Sequence, residues 1–133
     1  MMRSRILYIS GRREDALRLP KMLAALPLSV DYVATLAEAR AALTRKHYDV
    51  VLTEAALPDG NWLDTLHLAR DCPREMEVIV TDPQADARFW AEALNLGAYD
   101  LLAQPFYAPE VCRILWNACT RPATYGSHGA AAV

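Results

Sequence analysis

The chain has 133 residues, with 14 basic against 16 acidic side chains, a net charge of −2, 53% apolar residues and 23% charged ones. That composition describes one globular domain whose burial offsets chain entropy, and it excludes both a disordered body and the basic excess of a nucleic-acid binder. No apolar run approaches the roughly 20 residues of a membrane-spanning helix. The basic start at Met1 to Arg5 leads only into the short run Ile6 to Ile9, which reads as a strand and not a signal peptide, so the expected compartment is the cytoplasm.

Short apolar runs alternate with longer amphipathic stretches. Arg5-Ile6-Leu7-Tyr8-Ile9 predicts a first strand, ending at Ser10-Gly11. Glu14 to Leu26 predicts a helix, with Pro20 expected to kink it or delay its start. Val30 to Val33 predicts a second strand, and Thr35-Leu36-Ala37-Glu38 is a capping box opening a helix to about Arg45. Val50-Val51-Leu52-Thr53 is apolar on both faces, as a central parallel strand requires. After a turn at Leu57-Pro58-Asp59-Gly60, Asn61 caps a helix through about Arg70. Val78 to Thr81 predicts a fourth strand, and Asp86 opens a helix to Asn95, with Gly97 as its left-handed cap. Tyr99 to Leu102 predicts a fifth strand, and Pro109 starts a last helix reaching Thr120. This alternation implies an α/β fold: a doubly wound, five-stranded parallel sheet with helices on both faces. Residues 1–120 form the expected domain, and 121–133, rich in small residues, the expected disordered tail.

Cys72, Cys112 and Cys119 have no paired spacing, and Cys112 and Cys119 would stand about 10 Å apart on one helix, too far for a disulfide. The scattered histidines give no metal pattern. In such a sheet, ligands gather at the carboxyl ends of the strands. The residues delivered there are Ser10 to Arg13, Thr53 to Leu57, Thr81 to Pro83 and Ala103 to Phe106. They contain no glycine-rich phosphate cradle, nucleophile elbow or cysteine beside a histidine, so an ordinary enzyme is not expected. A flavodoxin-like small-ligand domain is disfavoured because no strand-end loop offers a phosphate nest or aromatic clamp.

Four stretches resemble the receiver domain of bacterial response regulators, with its CheY-like (βα)5 fold, over about residues 5 to 120. They are Arg5 to Ile9, Tyr48 to Gly60, Val78 to Thr81, and Gly97 to Phe106 with its Gln104-Pro105-Phe106 ending. The resemblance implies a phosphoacceptor aspartate after the third strand, an acidic pair holding Mg²⁺, a lysine, a switch hydroxyl and a switch aromatic. Here the acceptor position falls on Glu54, the acidic pair on Ser10 and Gly11, the lysine on Gln104 and the aromatic on Leu101. The switch hydroxyl falls on Thr81 or, in a gapless register, Asp82. Glu54 then carries the only pocket carboxylate, with Arg12 and Arg13 available as its partners. Mg²⁺ binding is expected to be lost and no cofactor retained.

The implied function is a two-component signalling module of pseudo-receiver type, acting through protein contacts. The alternative is a divergent receiver that still accepts phosphate from a histidine kinase. Glu54 can be an ion-pair partner, a mimic of phosphoaspartate, or an acceptor itself. On the last helix, Val111, Ile114, Leu115 and Ala118 read as the core stripe, and Cys112, Trp116 and Cys119 as a second stripe. On the helix before it, Phe89, Ala93 and Leu96 suit the core and leave Trp90 and Leu94 outside. In receivers the fourth helix, fifth strand and last helix form a docking and dimerisation face. Trp90, Leu94, Leu101, Cys112, Trp116 and Cys119 are its candidates here, toward a signalling protein, a histidine kinase or a second copy; packing of the tryptophans flat on neighbouring helices is the plainer reading. Trp62 replaces a usual glycine, either capping the pocket or standing half-exposed. No nucleic-acid-binding element or membrane segment is expected within the chain.

Overall fold

A computed structural model describes residues 3–120. The proposed tail and His128 lie outside them. In chain order the elements are β1 (Ser4–Ile9), α1 (Arg13–Met22), β2 (Leu28–Val33), α2 (Leu36–Arg45), β3 (Val50–Glu54), β4 (Ala56–Leu57), β5 (Gly60–Asn61), α3 (Trp62–Arg70), β6 (Glu77–Asp82), α4 (Ala87–Leu96), β7 (Asp100–Ala103) and α5 (Ala108–Cys119). The main sheet runs β2-β1-β3-β6-β7, with every neighbouring pair parallel. Strand order therefore reverses between β1 and β3, and a crevice opens beyond their carboxyl ends.

Period-2 alternation sorts the strand side chains into two layers. Ile6, Tyr8, Val50, Leu52, Ile79 and Leu102 pack with α1 and α5, while Leu7, Ile9, Val51, Val78, Val80 and Leu101 pack with α2, α3 and α4. All five residues of β3 are buried, as expected of the central strand.

Local signals place most of the helix ends. Thr35 Oγ1 accepts the Glu38 N–H at 3.1 Å, but Glu38 reaches back one residue further than in the usual box, to the Ala34 N–H. Asn61 and Asp64 cap each other's backbone around the start of α3. Gly97 ends α4 at φ 115°, and the Arg70 guanidinium donates to the Leu96 carbonyl at 2.6 Å beside it. A side chain at Gly97 would meet both the positive φ and that guanidinium.

Two local expectations are corrected and a third is extended. Pro20 does not delay α1, which starts at Arg13; the helix stops at Met22, and the turns that follow replace the helix drawn to Leu26. The turn at Leu57 to Gly60 is present, and it closes a short antiparallel hairpin with Ala56 opposite Asn61 and Leu57 opposite Gly60. Trp62 does not stand half-exposed: it is buried against the Phe89 ring, centroids 5.8 Å apart.

Candidate functional site

In the register Ile9 pairs with Thr53 and Glu54 with Thr81, so Ser10 and Glu54 leave adjacent strand ends side by side. Both have the parity of Tyr8 and Leu52, and Gln104, two residues beyond Leu102, shares it. Sheet alternation therefore turns them toward the α1 and α5 layer, where they meet.

Glu54 is buried, and its Oε2 collects the donors. The Ser10 hydroxyl donates to it at 2.5 Å and Gln104 Nε2 at 3.4 Å. Arg12 Nε stands 3.9 Å away on a half-exposed side chain. The same Gln104 Nε2 donates to Asp15 Oδ2 at 2.9 Å, so one amide bridges two carboxylates. Ser10 Oγ also accepts the Arg12 N–H at 2.8 Å. Charge-assisted hydrogen bonds of this kind are the stronger ones, about 1.5–3 kcal/mol each. Burial pushes the Tyr8 phenol well above its usual value; the Ser10 hydroxyl opposes this, and the Glu54 and Asp15 carboxylates add to it.

Of the residues predicted for this site, Ser10, Glu54 and Gln104 converge, with Arg12 at the rim. Gly11 is exposed and has no side chain to contribute. Among the described residues Arg13 forms no ion pair with Glu54. Thr81 is buried beside Glu54, its hydroxyl donating to the Leu102 carbonyl at 2.9 Å, whereas Asp82 ends the strand and accepts the Gln84 N–H at 3.0 Å. Asp15 was missed, so the pocket holds two carboxylates and not one. Its signal was present in the sequence: Asp15 precedes the buried Leu19 by four residues, a polar side chain on an apolar helical stripe.

The predicted contact surface divides in two. Trp90 is 48% exposed and its indole N–H donates to Asp100 on β7 at 3.0 Å. Leu101 does not join it: sheet alternation turns Leu101 inward, where it is buried with the α3 and α4 layer. Leu96 and not Leu94 is the more exposed leucine of α4. Cys112 donates to the Met22 carbonyl of α1, and Cys112 and Cys119 pack against the α1 and α5 core. Trp116, one turn beyond Cys112, shares that stripe, so it belongs to the α1 side and not with Trp90. Burial, with Asp49 nearby, pushes the Cys119 thiol up to about 12, which keeps it an unreactive thiol. All three cysteines are free, as their spacing implies.

A family model of the response regulator receiver domain matches residues 14–115, and the chain belongs to that family. It is a receiver domain of the two-component signalling class. The match begins after Ser10 and Gly11. The chain is similar to the swarming motility regulation protein RssB of Serratia marcescens, 32% identical over 74% of this chain and 47% of that protein. It thus spans about half the length of that curated relative. Among solved structures it resembles the signal receiver domain assigned to a Luxo repressor protein of Vibrio parahaemolyticus, with TM-score 0.82, 21% identity, and coverage of 93% of this chain and 95% of that one. It also resembles the receiver domain of the sensor histidine kinase PA1611 of Pseudomonas aeruginosa, which holds a magnesium ion in its active-site cleft, with TM-score 0.74, 25% identity and 88% and 98% coverage.

Proposed function

We propose that this receiver domain signals through protein contacts and does not take a phosphoryl group. One observation carries the reading: the Glu54 carboxylate is already engaged by the Ser10 hydroxyl and the Gln104 amide, inside the crevice where transfer would occur. Mg²⁺ requires octahedral oxygen ligands at about 2.0–2.1 Å. The residues here do not fit it. The bridging amide turns N–H groups toward both Asp15 and Glu54, and the Ser10 oxygen is committed to Glu54 and the Arg12 N–H. Gln104 is neutral, so it offers no ammonium to a phosphoryl oxygen.

The partner of this reading is a signalling protein, a histidine kinase or a second copy, in the cytoplasm. Trp90 supports such a contact, being a large exposed aromatic anchored by Asp100. Among the described residues no helix is long and apolar enough to cross a membrane.

Incubation with radiolabelled acetyl phosphate and Mg²⁺ tests the reading, and no incorporation is expected. Acid-stable, alkali-labile label that disappears in Glu54→Gln would overturn it and establish the alternative, a divergent acceptor fed by a histidine kinase.

A further inference from the structure

At the amino end of the sheet, opposite Glu54, lies an open recess of about 530 Å³ lined by Arg3, Arg5, Ser29, His47, Asp49 and Arg74. Four segments build it: the start of β1, the start of β2 at Ser29, the turn from α2 into β3, and the loop between α3 and β6. Its charges are unbalanced. Three guanidiniums face one carboxylate, and that carboxylate already accepts the Arg5 N–H at 2.8 Å. Among the described residues Arg3 donates to neutral carbonyls, Leu26 at 3.3 Å and Leu28 at 3.0 Å. Among the described residues neither Arg5 nor Arg74 forms an ion pair. The nearby Lys46 is paired with Asp31 at 3.3 Å; Glu75 and Glu77 do not line this recess, and Arg74 also borders a second one that they do line.

We propose that this recess binds a small phosphate ester. With His47 neutral, three arginines and Asp49 leave a net charge of 3 − 1 = +2 at the recess. That complements a phosphomonoester of about −1.5 to −2 at neutral pH. Guanidinium forks match phosphate oxygens with paired hydrogen bonds, which an ammonium does not do. The volume lies within the roughly 300–1,000 Å³ of small-molecule pockets. The overall charge of −2 argues against a long polyanion as occupant.

Titration of the whole chain with AMP and with inorganic phosphate, followed by calorimetry and amide NMR shifts, tests the proposal. Saturable binding is expected, tighter for AMP than for phosphate because the recess exceeds one phosphate group. Arg74→Ala weakens it about tenfold, the loss of one charge-assisted contact. Arg113→Ala, an exposed arginine on α5, leaves it unchanged, as does Glu54→Gln, which separates this proposal from the reading of the other end. Absence of saturation, equal affinity for AMP and phosphate, or equal losses in Arg74→Ala and Arg113→Ala would overturn it.

Discussion

The two ends of the sheet treat charge in opposite ways. At the carboxyl end, Glu54 is sunk among backbone strands and accepts from Ser10 and Gln104, and Gln104 also donates to Asp15, while the buried Gln104 Oε1 and Tyr8 hydroxyl have no hydrogen-bond partner among the described residues. At the amino end, Arg5 and Arg74 are exposed, with no ion pair among the described residues. Desolvation explains the difference. A carboxylate taken out of water must find donors inside the protein, whereas an exposed guanidinium stays hydrated and remains available to a ligand. What a polar cluster at a strand end can bind is therefore set by which of its donors and acceptors are already committed to one another.

The strand joining the two ends gives the largest expected effect. Leu52 is fully buried at the middle of β3, and Leu52→Ala costs about 2–5 kcal/mol through lost burial and a cavity. Urea unfolding would show a lower midpoint with an unchanged slope. A midpoint close to wild type would mean that β3 is not the common support of both ends.

Gln104→Leu sharpens the contrast itself. It removes the shared donor from Asp15 and Glu54, at an expected cost of about 1–3 kcal/mol for the stranded acceptors. Arg74→Ala, at the hydrated end, should change stability by no more than about 0.5 kcal/mol. Equal destabilisation in urea unfolding would erase the distinction between the two ends.

The smallest effect concerns Asp59, at the rim of the carboxyl end. Hydrogen bonds from the Leu36 N–H first, then from Ala37, hold its carboxyl below the usual value. A carboxylate depressed by folding stabilises the native state above its unfolded pKa, about 3.9, and loses that contribution as pH falls through the folded value. Thermal melts between neutral pH and pH 3 should show a shallower acid loss in Asp59→Asn. The slope will not vanish, because Asp31 is also depressed, chiefly by the Tyr48 hydroxyl. An acid slope as steep as wild type would remove Asp59 from this role.

Local signals were legible because they act over a few residues. Thr35, Asn61, Asp86 and Gly97 each mark a helix end that the structure keeps, and the apolar run Val50 to Thr53 marks the central strand. Glu54, Ser10 and Gln104 were legible as one site because strand ends in an alternating α/β chain converge. The hairpin at Ala56 to Asn61 was not, since two-residue strands carry no periodic signal. Helical spacing alone puts Leu96 with the core, but at the last residue of α4 it is 40% exposed, because spacing does not tell where the layer beneath a helix ends.

By itself, the sequence determined the alternating order of strands and helices, the parallel sheet, and the residues lying at its tips, because hydrophobic periodicity and capping are written within each segment. Only the tertiary structure decided which of those residues touch. Asp15 joins Glu54 through Gln104, 89 positions away along the chain. Leu101 turns inward, and Trp90 and Trp116 part to different sides. The arginines before and after β3 meet at one recess. Such partnerships depend on strand order and on the direction of each side chain across the sheet, which are properties of the packed layers and of no single stretch of residues.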